Sequence, residues 1–193
     1  MTARKKAIMR EATRLFAEKG YDAVPVSEIA RQAEVSEGAI FRHFKSKQDL
    51  LHSIFVNIRE TFYADLEAGF RFSAGEPGLD MVMRLIRLYC HFYESRETEF
   101  DFIHRNNPYQ MPDIGVPCRE EIQRIHDKMA ELLRIGLSLG VRDGSIRALR
   151  VDETALLILG LISGAVRFRL FQKLHLEDLE AELLDFAVNA LRA

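Results

Sequence analysis

The chain has 193 residues, 48% of them hydrophobic and 29% charged, which suits one large domain or two small ones with a sizeable core and excludes a low-complexity chain. The formal net charge of −2 argues by itself against a nucleic-acid binder, but the distribution is uneven. Residues 1–47 hold ten Lys/Arg against six Asp/Glu, a net of +4, which leaves −6 for residues 48–193, so a polyanion meets the N-terminal segment while the rest repels and orients it.

Only two cysteines are present, Cys90 and Cys118. With an N-terminus, MTARKKAIM, that lacks an apolar h-region, they point away from a disulfide framework and toward a reducing cytoplasm. The longest near-apolar run, Ala155 to Val166, is closed by Glu153 and Arg167. It is too short to cross a bilayer and suits a buried helix, so no membrane partner is expected.

From Arg4 to Lys19 the apolar positions Ile8, Ala12, Leu15 and Phe16 follow helical spacing, and Gly20 stands where a C-terminal stop belongs. Arg4, Lys5, Lys6 and Arg10 on this helix are placed to approach phosphate or to form a solvated charged face. Pro25 suits the first turn of a second helix, where no N–H donor is needed. Ser27 to Ala33 sets Ile29, Ala30 and Ala33 on one side. Glu34, Val35 and Ser36 interrupt that pattern, and Ser36 can cap a third helix through its hydroxyl. Glu37 then stands in the first turn, where the helix dipole favours an anion. Ile40 and Phe44, four apart, turn inward and leave Glu37, Gly38, Arg42 and His43 on another face. Two short helices about a tight turn form a helix-turn-helix, whose second helix enters the DNA major groove while nearby basic groups grip phosphate.

Ser46 to Asp49 reads as a capping box for a fourth helix. Its stripe runs through Ile54, Ile58, Phe62, Leu66 and Phe70 and ends before a breaker region at Ser73 to Gly78. This helix belongs to both halves of the chain, without a flexible linker near residues 46 to 50, so a change in the C-terminal half can tilt the DNA-binding half. Further helices are predicted over Leu79–Arg96, Glu97–His104 and Cys118–Leu139, with a loop at Asn106–Pro117 and a break at Gly140–Arg150. The last two run from about Asp152 to Leu174 and from Leu176 to Leu191. Asp152 and Glu153 suit the helix N-terminus, and Gly160 with Gly164 permits close helix approach. No later element remains to cover these two helices, so a partner subunit is the economical cover.

The run Ile29-Ala30, Ala33, Val35-Ser36, Gly38, Ile40-Phe41, His43-Phe44 and Ser46-Lys47, followed by Leu50, resembles the DNA-binding signature of TetR-type transcriptional regulators. It departs from that signature in three places: Glu34 replaces a Gly or Asp-like turn former, Pro25 a Thr or Ser cap, and Phe41 a Tyr. A left-handed Glu34 costs about 1 kcal/mol, and Phe41 keeps a ring for a thymine methyl while losing a hydroxyl that reaches phosphate. The resemblance implies an all-α chain of about nine helices, with a helix-turn-helix domain over residues 1–47 and an effector-binding and dimerisation domain over residues 48–193. It implies DNA contacts by Ser36, Glu37, Gly38, Ala39, Phe41, Arg42, His43 and Lys47, the last lying against the DNA backbone. It also implies a homodimer through the last two helices on a double-stranded operator, and repression relieved when a small molecule fills a pocket enclosed mainly by helices five to seven.

The pocket candidates by position are Tyr89, Phe92, Tyr93, Phe100, His104, Tyr109, Ile122 and His126, a mostly apolar set suited to a hydrophobic or aromatic effector. Aromatic residues at such helical spacing are more often ordinary core than cavity lining. Catalytic and metal patterns are missing from the sequence: there is no H-E-x-x-H, no C-x-x-C and no G-x-S-x-G around Ser163. His91 with Glu94 and Asp101 with His104 stand at i, i+3, a spacing that hydrogen-bonded histidines also show. Gly136, Gly140 and Gly144 follow no strand, which leaves no phosphate-binding loop. No cofactor is expected. The alternatives to a ligand-responsive regulator are an all-helical enzyme and a helical interaction protein without DNA binding, which a gel shift on genomic fragments separates from it.

Overall fold

A computed structural model describes residues 2–70, 75–111, 115–172 and 176–193, with side chains described outside 169–178. Among the described residues there are nine α-helices: α1 Ala3–Lys19, α2 Val26–Gln32, α3 Glu37–His43, α4 Lys47–Gly69, α5 Gly78–Glu94, α6 Glu97–Arg105, α7 Gly115–Asp143, α8 Val151–Gln172 and α9 Leu176–Leu191. The all-α expectation is met. Extended pairing among these residues is limited to one isolated bridge between Ile146 and Arg192.

Local rules place most boundaries. Thr2 accepts from the Lys5 N–H and starts α1, while Gly20, at φ +83°, donates its N–H to the Phe16 carbonyl and stops it. Ser46 Oγ accepts from the Asp49 N–H, and the Asp49 carboxylate accepts from Lys45, one residue before the position a capping box requires. Pro25 caps α2 from outside, one place earlier than expected.

Two other boundaries differ more. The segment expected as a loop over Asn106–Pro117 holds a short 3-10 helix at Pro108–Gln110, and α7 already begins at Gly115. Pro117 fits that first turn because its missing N–H has no partner there in any case. The expected break at Gly140 is absent as well, since α7 continues to Asp143 and ends before Gly144, at φ +80°. Gly140 is a glycine inside the helix because the Ile146 side chain occupies the place of its Cβ, with Ile146 Cδ1 2.4 Å from it. The expected breaker at Ser73 and Ser73's neighbour at 74, and the expected end of α8 at Leu174, fall outside the described residues.

The chain forms two compact units, one of residues 1–61 with 96–123 and the other of residues 62–95 with 124–193. In the first, α1 packs along α6, and α2 and α3 pack in sequence. Its core joins Phe16, Phe55 and Phe102, with Phe102 4.9 Å from Phe55 and 6.3 Å from Phe16 between ring centroids. Asn106, at the end of α6, is buried. Its oxygen accepts from the Tyr21 N–H at 2.7 Å, and its nitrogen donates to the carbonyls of Phe16 at 3.0 Å and Phe102 at 2.8 Å. Glu121 of α7, also buried, takes the Arg59 guanidinium of α4 and faces His52 Nε2 at 3.8 Å. Such pairing is what makes a buried carboxylate tolerable.

In the second unit α5 packs on α8 and α9. Phe62 meets Phe92 edge-on at 4.8 Å, and Tyr89 lies 4.8 Å from Tyr93. The start of α5 meets α7 at Gly78, where a Cβ would fall 2.0 Å from the Gly140 nitrogen. Pro77 offers α5 no side-chain cap, so residues at and just after the end of α7 supply it. Asp143 accepts from the Gly78 N–H at 2.8 Å and Ser145 from the Leu79 N–H at 3.2 Å. Hydrogen bonds from Ser145 and Gly78 hold the Asp143 carboxyl below its usual range.

Candidate nucleic-acid interface

The turn between α2 and α3 closes α2 as a Schellman motif. The Val35 N–H reaches the Ala30 carbonyl at 2.9 Å and the Glu34 N–H reaches Arg31 at 3.3 Å. Glu34 occupies the left-handed position of this motif, at φ 54°, where glycine usually stands. The two bonds offset a strain of about 1–2 kcal/mol. Ser36 then caps α3, its hydroxyl accepting from the Ala39 N–H at 3.2 Å. Ile40 and Phe44 are buried, so the seven-residue helix has one side in the core and the other in solvent.

That outer side carries Ser36, Glu37, Gly38, Phe41 and Arg42, all exposed, with Ala39 and His43 half-buried. Phe41 is 49% exposed, a large ring left in solvent. The His43 ring lies 6.4 Å from Phe44. From α1, Lys5 sits 5.1 Å above the Phe44 ring and Arg10 pairs with Glu11, while Arg4 and Lys6 are exposed.

Lys47, expected against the DNA backbone, is turned inward. Its ammonium donates to the Tyr21 carbonyl at 2.6 Å and lies 4.2 Å from the Tyr21 ring centroid. Burial lowers its pKa from the ordinary lysine value. An ammonium has three N–H donors, so this bond leaves others for a phosphate while fixing the start of α4 to the turn after α1. Tyr21 is thus held at its N–H by Asn106 and at its carbonyl by Lys47. Sequence reasoning missed both Tyr21 and Asn106, since an Asn before Asn107-Pro108 has only the signature of a turn.

The eight pocket candidates divide between the units. Phe100, His104, Tyr109 and Ile122 belong to the first, and Tyr89, Phe92, Tyr93 and His126 to the second. Tyr109 is 58% exposed, with the Arg119 guanidinium 6.0 Å from its ring centroid, whereas Ile122 is buried. In the second unit Tyr89, Phe92 and Tyr93 come together with Phe62. The Tyr89 hydroxyl lies 3.1 Å from Ser163 Oγ and donates to Tyr93 at 3.5 Å. Burial raises the pKa of both tyrosines and lowers that of His126, so all three stay neutral near pH 7. Cys90 and Cys118 are buried free thiols pushed up to about 12 by burial, which makes them poor nucleophiles. Among the described residues no group of three or more metal-ligating side chains occurs, and no helix is long and apolar enough to cross a membrane.

Residues 8–54 match the family model for bacterial regulatory proteins of the tetR family. The HTH-type transcriptional regulator YhgD of Bacillus subtilis (strain 168) is 25% identical over 162 residues, covering 82% of this chain and 80% of that protein. Two solved structures share the fold. A transcriptional regulator from Saccharomonospora viridis, in complex with choline, superposes with a TM-score of 0.82 at 21% identity, over 98% of this chain and 97% of the other. The regulator FadR of Bacillus subtilis, in complex with stearoyl-CoA, does so with 0.74 at 23% identity, over 96% and 98%. The family is one of regulators, which sets the enzyme alternative aside. With its helix-turn-helix, its all-α architecture and the matched N-terminal model, the chain carries the DNA-binding domain of the TetR family of transcriptional regulators.

Proposed function

We propose that this chain is a cytoplasmic repressor that binds a pseudo-palindromic operator as a homodimer and is released by a small effector. Residues 1–47 read DNA, and residues 48–193 bind the effector and dimerise. The observation that carries the DNA reading is the outer side of α3, where Phe41 and Arg42 stand exposed on a segment of net charge +4. Arg42 reads a base edge or nearby phosphate, while His43 and Lys47 hold the backbone. Fluorescence anisotropy on an operator selected from genomic fragments tests this. Arg42→Ala is expected to cost about 1–3 kcal/mol and relax preference at one position, whereas Lys47→Ala weakens all sequences alike and reduces the salt slope by roughly one. An Arg42→Ala protein with wild-type affinity for every single-base variant would remove Arg42 from the interface.

Dimerisation through α8 and α9 is supported by an apolar face that nothing in the described chain covers. Leu157 is 73% exposed and Phe186 62%, and Leu156 and Phe168 of α8 are exposed as well. A Cβ on Gly160 or Gly164 would meet nothing within 4 Å, so this small-residue stripe serves no packing among the described residues. Two copies joined there place their recognition helices about 34–36 Å apart, or a multiple of that, on one DNA face. Leu157→Glu is expected to give a monomer at micromolar concentration in sedimentation velocity and to lose operator binding. A wild-type protein that sediments as a monomer at that concentration would overturn the dimer.

For the effector, the neutral hydroxyls of Tyr89, Tyr93 and Ser163 within an aromatic cluster suit a small molecule with an apolar body and one polar group. Relatives of the same fold hold choline and stearoyl-CoA, so the family scaffold accommodates very different effectors. Mass spectrometry of what copurifies with the native protein tests this reading, which a ligand-free protein unresponsive to any copurified molecule would defeat.

A further inference from the structure

Four acidic residues lie on the first three helices, and three of them are neutralised within the chain. Glu11 and Glu18 are tied to Arg10 and Arg14, and Glu28 to Lys19 and Arg31. Glu37 is the exception. It opens α3, is exposed, and among the described residues its carboxylate has no ion-pair or hydrogen-bond partner. Glu37 also shares a helix side with Phe41, four residues on.

Gly38, next to it, adds an independent observation. A glycine weakens a helix relative to alanine, yet Gly38 lies outside the left-handed region and a Cβ there would meet only Ser36 Oγ, at 4.0 Å. Nothing among the described residues requires the bare backbone. It leaves the side of α3 beside Glu37 and Phe41 open to close approach from outside.

A carboxylate brought against DNA is repelled by phosphates, and in the major groove by the keto oxygens of guanine and thymine and by purine N7. Cytosine is the base that offers an amino donor there without a neighbouring acceptor. We infer that Glu37 is a specificity-determining residue whose carboxylate accepts from the N4 amino group of one cytosine in each operator half-site. This rests on the reading of α3 as the recognition helix. The carboxylate acts as much by exclusion as by attraction, because guanine and thymine set acceptors against its charge and adenine sets N7 beside its amino group.

Selection of binding sequences from a random duplex library, with the full-length wild type, Glu37→Ala and Glu37→Gln, tests the inference. The wild type is expected to enrich a palindrome with a required cytosine in each half. Glu37→Ala should lose roughly 5- to 150-fold of discrimination at that position alone, and Glu37→Gln, whose amide pairs with adenine N6 and N7, should move the requirement to adenine. Both changes are at an exposed site that leaves the Ser36 cap in place, and circular dichroism confirms the fold. If the wild type enriches a palindrome and the variants enrich the same one unchanged, Glu37 reads nothing while the recognition-helix reading stands. If the wild type enriches no sequence, that reading fails and the inference fails with it.

Discussion

Asn106→Ala is expected to destabilise the first compact unit by about 3–5 kcal/mol, read as a lower urea midpoint. The change removes three hydrogen bonds from a buried carboxamide. The Phe16 and Phe102 carbonyls each keep a second donor, from the backbone N–H of Gly20 and of Asn106 itself. The Tyr21 N–H keeps none among the described residues. A buried donor left unmet costs about 1–3 kcal/mol, each lost bond to a still-satisfied carbonyl about 1 kcal/mol, and the vacated volume adds to both. Against a typical net stability of about 5–15 kcal/mol this is a large fraction. Asn106→Asp separates the causes, because it keeps the shape and the acceptor for Tyr21 but sets an oxygen against two carbonyls. It should therefore be about as damaging as alanine. A loss under about 1 kcal/mol in both variants would show that the amide network does not hold the α1–α2 turn. The same variants should weaken operator binding without touching DNA, since Tyr21 and Lys47 position the start of α4 together.

Gly78→Ala is expected to cost the second unit about 3 kcal/mol or more. The new Cβ would lie 2.0 Å from the Gly140 nitrogen and 2.4 Å from both the Gly140 Cα and the Gly136 carbonyl oxygen. All three are backbone atoms that no rotamer change can move. The start of α5 must then retreat from α7, which also breaks the caps from Asp143 and Ser145 to Gly78 and Leu79. Overpacking alone typically costs about 1–3 kcal/mol, and the lost caps add to it. Urea unfolding together with amide hydrogen exchange in α5 measures the effect. Wild-type protection of the first turn of α5 would mean that the helices tolerate the methyl group and that this close approach is not essential.

The difference between these two sites and the helix-turn-helix explains what was legible in the sequence. Ser36 as a cap, Gly20 as a stop, and Ile40 with Phe44 as an inward pair all act within four residues of themselves, so spacing alone reveals them. Gly140 was misread as a break for the opposite reason. Its chemistry fits a helix end, and only the chain turning back after α7 to lay Ile146 where a Gly140 Cβ would stand explains a glycine inside α7. The pocket candidates illustrate the same limit. Aromatic spacing picks out Tyr89, Phe92 and Tyr93, but nothing in it places Ser163 against Tyr89 or separates these rings from Tyr109, which is exposed in the other unit.

The sequence by itself determined the all-α class, the helix-turn-helix with its cap and outward side, and the concentration of positive charge over residues 1–47, because each follows from neighbours along one helix or from a local sum. The tertiary structure alone decided where Lys47 points, which partners bury Asn106 and Glu121, and that α6 and the first part of α7 pack with the DNA-binding helices. Those contacts join residues 26, 62, 85 and 90 positions apart. Closing separations of that size depends on the whole core forming together, and no periodicity within one helix encodes which distant backbone group a polar side chain will meet.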